Sequence, residues 1–293
     1  MVTFIQALIF GLLVGGVYAL LASGLTLVFG VMKIVNMAHG AFIILAAYLS
    51  FTLWTYLGID PLIGSFIAAP IMGLVGLVVY KGVLERAHRI DPGLAIVATF
   101  AIALVIEGII ALIWGPNPAS TTPRYFNKAL HLGPFTIPEG QLFAFGMAVV
   151  ITVALAILIR TTWVGHAITA ASENPEAARL IGVEPARVGA WIFAIAVAIT
   201  SFGGAALSFL YQFTPDSQDS WIGLTLSVII LGGLGSIPGV VAGGLVIGVT
   251  ESLTSTYISL QWTAAVPLIL ILVVLTVRPE GILATRSRQD ASS

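Results

Sequence analysis

Two carboxylates, Glu107 and Glu251, lie within or near the ends of long apolar stretches. A charged carboxylate at the bilayer centre costs roughly 2.5–3.5 kcal/mol, so such residues are usually paired or functional. Neither has an obvious basic partner inside an apolar stretch. We therefore treat both as candidates for lining a path through the membrane, with a position near the lipid headgroups as the alternative.

Motifs for catalysis or nucleotide binding are missing. The sequence has no P-loop, no H-E-x-x-H zinc motif and no cysteine. Ser23 and His39 could be imagined as an intramembrane protease pair, but there is no G-x-S-x-G and no histidine deep in a later apolar stretch. The sequence thus predicts neither an enzyme nor a cofactor.

A short capped helix is predicted in the polar loop 162–187. Asn174 is a good N-cap, Pro175 suits the first helical position and Glu176 complements the helix dipole. Gly182 can adopt the left-handed conformation that ends a helix. Because short isolated helices are marginal in water, this one suggests either a protein partner or the membrane surface. The residues of this candidate docking element are Asn174, Pro175, Glu176, Ala177, Ala178, Arg179 and Gly182.

Two glycine-containing breaks interrupt apolar regions. Irregular backbone at membrane depth survives only where protein or a watery cavity satisfies its polar groups. The breaks therefore suggest discontinuous helices that line a substrate path, although close helix packing explains the glycines equally well. The candidate residues are Asn36, His39 and Gly40 at the first break, and Gly232, Gly233, Gly235 and Gly239 at the second.

A weak internal sequence repeat accompanies the two breaks. Gly24–Leu27 reads G-L-T-L and recurs as Gly223–Leu226, with His39 and Pro238 at the same offset. Transporters often contain such repeats, with their sites at broken helices. Chance similarity between glycine-rich apolar stretches is the alternative.

The composition places these residues in a membrane. The 293-residue chain is 58% hydrophobic and only 9% charged, and its mean hydropathy is +1.06. A soluble domain has about a quarter of its residues charged. The net charge of −1 gives no support for nucleic-acid binding.

We predict an all-α polytopic bundle of about eight transmembrane helices with broken or re-entrant segments, forming one transmembrane domain over residues 1–293. Lysines and arginines concentrate in loops 81–93 and 162–187 and in the tail that contains Arg278, Arg286 and Arg288, which we place in the cytoplasm. Loop 114–140 is then external, with the N-terminus outside. The predicted apolar segments are 4–22, 38–57, 62–80, 94–113, 141–159, 188–211, 221–254 and 262–277.

With these residues in view, the chain resembles the permeases of bacterial ABC importers for branched-chain amino acids, especially the H-type subunit. The resemblance covers nearly the full length. The matching stretches are Y-A-L-L-A-S-G-L-T-L-V-F-G at 18–30, I-V-N-M-A-H-G at 34–40, E-N-P-E-A-A-R-L-I-G at 173–182, the break 232–239, and R-P-E-G at 278–281.

The resemblance implies a location in the bacterial inner membrane and several partners. In such importers an E-A-A…G element docks on the ATPase, and Glu176, Ala177, Ala178 and Gly182 match it. The implied partners are two ABC ATPase subunits, a second related permease and a periplasmic or lipid-anchored substrate-binding protein. Urea or short amides are alternative substrates, and an ion-coupled secondary transporter is the alternative mechanism.

Overall fold

The computed structural model describes residues 1–278 and 281–283, so Pro279, Glu280, Arg286 and Arg288 lie outside the described residues. The described part is almost entirely helical. The helices are α1 (Val2–Met32), α2 (His39–Leu57), α3 (Pro61–Val79), α4 (Glu85–Ile90), α5 (Pro92–Trp114), α6 (Glu139–Thr161), α7 (Trp163–Glu173), α8 (Pro175–Leu180), α9 (Pro185–Leu210), α10 (Gln218–Gly232), α11 (Ile237–Tyr257) and α12 (Val266–Val277).

Eight helical segments of the described chain are long and apolar enough to cross a membrane, which confirms the predicted polytopic bundle. A π-helical turn, Tyr80–Leu84, joins α3 to α4, so the third span runs continuously over Pro61–Ile90. The last span, Leu260–Val277, combines a 3-10 turn with α12.

The predicted apolar segment 221–254 is divided between α10 and α11, as its glycines suggested. α10 has 15 residues, about 22 Å at 1.5 Å per residue, and is too short for a hydrocarbon core of about 30 Å. Gly233 and Gly235 adopt positive φ angles of 105° and 80° in the turn. The Ser236 hydroxyl then accepts the Gly239 N–H at 3.1 Å and caps α11.

Close backbone approach holds α10, α11 and α1 together. A Cβ added at Gly243 would lie 2.5 Å from the Val228 carbonyl oxygen of α10. On the other side of α11, a Cβ at Gly248 would lie 2.5 Å from the Gly11 carbonyl oxygen of α1. Glycines thus let both neighbours contact α11 at backbone distance.

The first predicted break brings the chain back along α1. Helix α1 ends at Met32, Lys33 takes a left-handed φ of 53°, and residues 33–38 lie outside any helix. His39, the first residue of α2, then donates from Nε2 to the Leu21 carbonyl at 2.8 Å. Since Leu21 lies eleven residues before the end of α1, α2 begins about 16 Å back along that helix.

Helix α9 lies at the centre of the bundle. Its span is 89% buried, and it packs against α1, α2 and α3. The spans of α3, α5, α6 and α12 are at the periphery, with 28%, 22%, 22% and 11% buried, and their exposed side chains are largely apolar. Such surfaces suit lipid or a neighbouring membrane subunit.

The loops gather at two ends of the bundle. At one end, a β-hairpin formed by β1 (Ala129–Leu132) and β2 (Phe135–Pro138) contacts the N-terminus, since the Gln6 side chain hydrogen-bonds both backbone groups of Thr136. At the other end, Ile282 N–H donates to the Leu231 carbonyl beside the α10–α11 turn. The hairpin was not predicted.

We expect Gly248→Ala to destabilise the bundle by about 1–3 kcal/mol, because the new Cβ would overlap the α1 backbone. Gly146→Ala in α6 is the matched control, since its Cβ would have no neighbour within 4 Å among the described residues. Unfolding free energies from denaturant titration in mixed micelles measure both. Equal losses of unfolding free energy in the two variants would contradict the close backbone contact between α1 and α11.

Candidate coupling surface and membrane cavity

Helix α8 forms for the local reasons that the sequence indicates. The Asn174 Oδ1 accepts the N–H groups of Glu176 at 3.1 Å and Ala177 at 3.0 Å, and Pro175 occupies the first helical position. Gly182 has a φ of 85°, which ends the segment. The predicted N-cap and the left-handed terminal glycine are confirmed.

One face of α8 is anchored and the other is exposed. Ala178 is buried in the main apolar core, and its carbonyl accepts the Val183 N–H at 2.9 Å. Leu180 and Ile181, at the end of the helix, are 89% and 74% exposed. Neighbouring exposed apolar side chains on a fixed helix are typical of a surface that a partner covers.

A charged cavity lies at the base of α8. It has a volume of about 570 Å³ and lies between the loops 81–93 and 162–187. Glu85 and Arg89 contribute from α4, Arg179 from α8, and Glu184 from the start of α9. The two loops that were predicted to share one side of the membrane therefore contact the same cavity.

The sequence prediction missed α7, which connects α6 to α8. Its N-cap is Thr162, whose hydroxyl accepts the Gly165 N–H at 3.1 Å. Ala167, Ile168 and Ala171 are buried against the bundle, where α7 packs on α1, α6 and α9. A threonine cap before an amphipathic eleven-residue stretch is the signal that could have revealed this helix.

Each intramembrane carboxylate is hydrogen-bonded to a neutral side chain. Glu107 of α5 accepts from the Gln218 amide at 2.5 Å, and Glu251 of α11 accepts from the Tyr18 hydroxyl at 2.8 Å. The partners are 111 and 233 residues away in sequence. Short-range patterns therefore could not identify them.

Tyr18 and Glu251 border a membrane cavity of about 340 Å³. We call it the Glu251 cavity. Helix α10 supplies most of its wall, opposite the beginning of α12. The lining residues are Tyr18, Asp219, Ser220, Trp221, Gly223, Leu224, Ser227, Glu251, Ala264, Pro267 and Leu268.

Most other predicted path residues lie elsewhere. Asn36, His39 and Gly40 are buried where α1, α2 and α10 meet, and a Cβ at Gly40 would lie 2.4 Å from the Gln218 carbonyl oxygen. Gly232, Gly233 and Gly239 form or flank the α10–α11 turn, whereas Gly235 borders two further cavities near α6. Of the predicted path residues, Glu251 lines the Glu251 cavity and Glu107 does not.

In the part of the chain that the structure describes, no three histidine, aspartate or glutamate side chains are grouped closely enough to hold a metal ion.

We expect Asn174→Ala to weaken α8 by about 1 kcal/mol, because two backbone N–H groups lose their acceptor. Amide hydrogen exchange at residues 176–180 should accelerate. Ser172→Ala is the control, since among the described residues its hydroxyl donates only to the Thr169 carbonyl of α7. Unchanged exchange in Asn174→Ala would contradict the role of the cap.

Comparisons with known proteins place this architecture in a family. A family model described as branched-chain amino acid transport system / permease component matches residues 7–275. The high-affinity branched-chain amino acid transport system permease protein LivH of Salmonella typhimurium is 30% identical over 96% of this chain and 95% of its own. A probable branched-chain amino acid transport permease protein LivH of Methanocaldococcus jannaschii is 30% identical over 90% of this chain and 87% of its own.

A solved structure supports the fold. A chain of PsaBC from Streptococcus pneumoniae in complex with Fab superposes with a TM-score of 0.52 over 92% of this chain and 91% of that chain, at 10% identity. The spans, the broken helices and the near full-length family match agree with one another. The chain is a multi-pass membrane protein that belongs to the family of permease components of branched-chain amino acid transport systems.

Proposed function

We propose that this chain is the membrane permease subunit of an ATP-driven importer and forms the translocation path for branched-chain amino acids. The observation that carries the proposal is the relationship to LivH permeases over 96% of the chain. The fold agrees with this role, since broken helices and a partly polar cavity lie within a bundle that is otherwise apolar.

Helix α8 would dock on the ATPase. Its exposed Leu180 and Ile181 offer apolar contact area, and Glu176 adds an exposed carboxylate one turn earlier. The buried Ala178 fixes α8 to the bundle. A movement of α8 would therefore be transmitted to the membrane helices. ATP binding and hydrolysis on two separate ATPase subunits would drive that movement.

A second permease would cover the face that includes α10 and α12. Asp219 and Ser220 are exposed on α10 next to the Glu251 cavity, and an aspartate facing hydrocarbon is costly. The last span, only 11% buried, also borders that cavity, through Ala264, Pro267 and Leu268. A periplasmic or lipid-anchored binding protein would deliver the amino acid at the outer surface of the bacterial inner membrane.

Movement would pass from α8 to the bundle through α7, which packs on α1, α6 and α9. Helix α1 contacts α11 at backbone distance, so the two helices would move as one body. The path would then alternate between outward and inward openings. Both helices also border the Glu251 cavity through Tyr18 and Glu251.

We expect Glu176→Lys to reduce ATP-dependent L-leucine uptake by roughly tenfold or more, because a charge reversal in a docking surface opposes association. Uptake into vesicles that contain the whole complex is the measurement, together with co-purification of the ATPase subunits. Glu173→Lys is the control, as a charge reversal at another exposed glutamate, at the end of α7, and it should leave uptake unchanged.

Normal uptake with normal ATPase binding in Glu176→Lys would contradict docking through α8. Uptake of L-leucine by the purified chain alone, driven by an ion gradient, would contradict the ATP-driven mechanism itself.

A further inference from the structure

The lining of the Glu251 cavity carries charge of one sign. Glu251 and Asp219 are acidic, and none of the described residues that line the cavity is lysine, arginine or histidine. Both carboxylates lie within or beside membrane-embedded helices, where a nearby cation would lower the free energy of the charged form. This part of the lining favours a ligand with a positive group and disfavours an anion.

Hydrogen bonding orients Glu251 within the wall. The Tyr18 hydroxyl donates to Glu251 Oε2 at 2.8 Å, and Tyr18 itself is 7% exposed. This bond fixes the carboxylate between α1 and α11 and leaves Oε1 to accept from another donor. Ser220 adds a hydroxyl to the same lining, which can donate to a carboxylate.

Aromatic and aliphatic groups complete the cavity. The Trp221 ring lies edge-to-face with Tyr18 at 6.4 Å and with Tyr211 at 5.4 Å, so its position is fixed by two neighbours. Ammonium groups are attracted to such ring faces. Leu224, Pro267 and Leu268 supply an apolar wall. The volume of about 340 Å³ is in the lower range for small-ligand sites.

We infer that the Glu251 cavity binds a zwitterionic amino acid during its passage, with the ammonium group between Glu251 and Asp219 and the aliphatic side chain against Leu224, Pro267 and Leu268. The inference rests on the proposed transport function and adds a site and a chemical selectivity to it. Urea and short amides lack both an ammonium group and a branched aliphatic side chain, so they would bind here weakly.

Site-specific protection of a cysteine tests this inference directly, because the natural chain contains no cysteine. Ala264→Cys places a thiol in the cavity lining, and Ser255→Cys places one on exposed α11 surface outside it. Labelling by N-ethylmaleimide is followed by the intact mass of this chain in the whole complex, without the binding protein. L-Leucine should slow labelling at residue 264 and leave residue 255 unaffected.

Ligand chemistry separates the alternatives in the same assay. The deaminated analogue 4-methylpentanoate, which keeps the aliphatic chain and carboxylate, should protect residue 264 at least roughly tenfold more weakly than L-leucine, because it lacks the charged donor. Urea should not protect. Equal protection by 4-methylpentanoate or urea would overturn the assigned role of the carboxylates.

Carboxylate variants complete the test in the Ala264→Cys background. Glu251→Gln keeps an acceptor for Tyr18 while removing the charge, and Asp219→Asn removes the second charge. Each should raise the half-protecting L-leucine concentration roughly 10- to 100-fold. Glu139→Gln, which removes a carboxylate outside the cavity, should leave it unchanged.

The two proposals can fail separately. A complex that imports L-leucine with ATP, yet shows no protection of residue 264 or the same protection in both carboxylate variants, would overturn the cavity inference alone. A complex that shows neither ATP-dependent import nor protection would overturn the proposed function as well.

Discussion

The structure depends on satisfying backbone polar groups where helices begin inside the bundle, since hydrocarbon offers them no partner. Two helices begin there, α2 at His39 and α10 at Gln218, and they meet where a Cβ on Gly40 would strike the Gln218 carbonyl oxygen. The Asn36 side chain accepts the Ala38 N–H, and the His39 ring donates to the Leu21 carbonyl. Side chains of the first break thus hydrogen-bond two backbone groups, one at the start of α2 and one within α1.

Glycine contacts turn this arrangement into a connected unit. Helix α11 touches α10 through Gly243 and α1 through Gly248, so the three helices share backbone contacts along their length. At one end of the unit, the α10–α11 turn lies against Gly30 of α1. Towards the other end, Tyr18 and Glu251 border the Glu251 cavity. Packed helices with little free space tend to shift as rigid bodies, which is consistent with a path that opens and closes when force is applied at the α8 end.

Sequence reasoning predicted the features with local causes. Apolar length revealed the spans, and Asn174, Pro175 and Gly182 revealed α8, because caps act within a few residues. It identified Glu251 as a candidate but could not place it in a cavity, because its partner Tyr18 is 233 residues away. Asn36, in the segment between α1 and α2, and His39, at the start of α2, are buried by neighbouring helices, whose packing a sequence pattern does not predict.

A direct measurement would ask whether occupancy of α8 by the ATPase changes the Glu251 cavity. In the reconstituted complex, the labelling rate of Ala264→Cys by an impermeant maleimide can be compared between the nucleotide-free and ATP-trapped states. We predict that nucleotide changes this rate severalfold, and that Leu180→Ser with Ile181→Ser abolishes the change. Two results would contradict mechanical coupling from α8 to the membrane path. One is a labelling rate that is the same in the nucleotide-free and ATP-trapped states, and the other is a nucleotide-dependent rate that persists in the Leu180→Ser, Ile181→Ser variant.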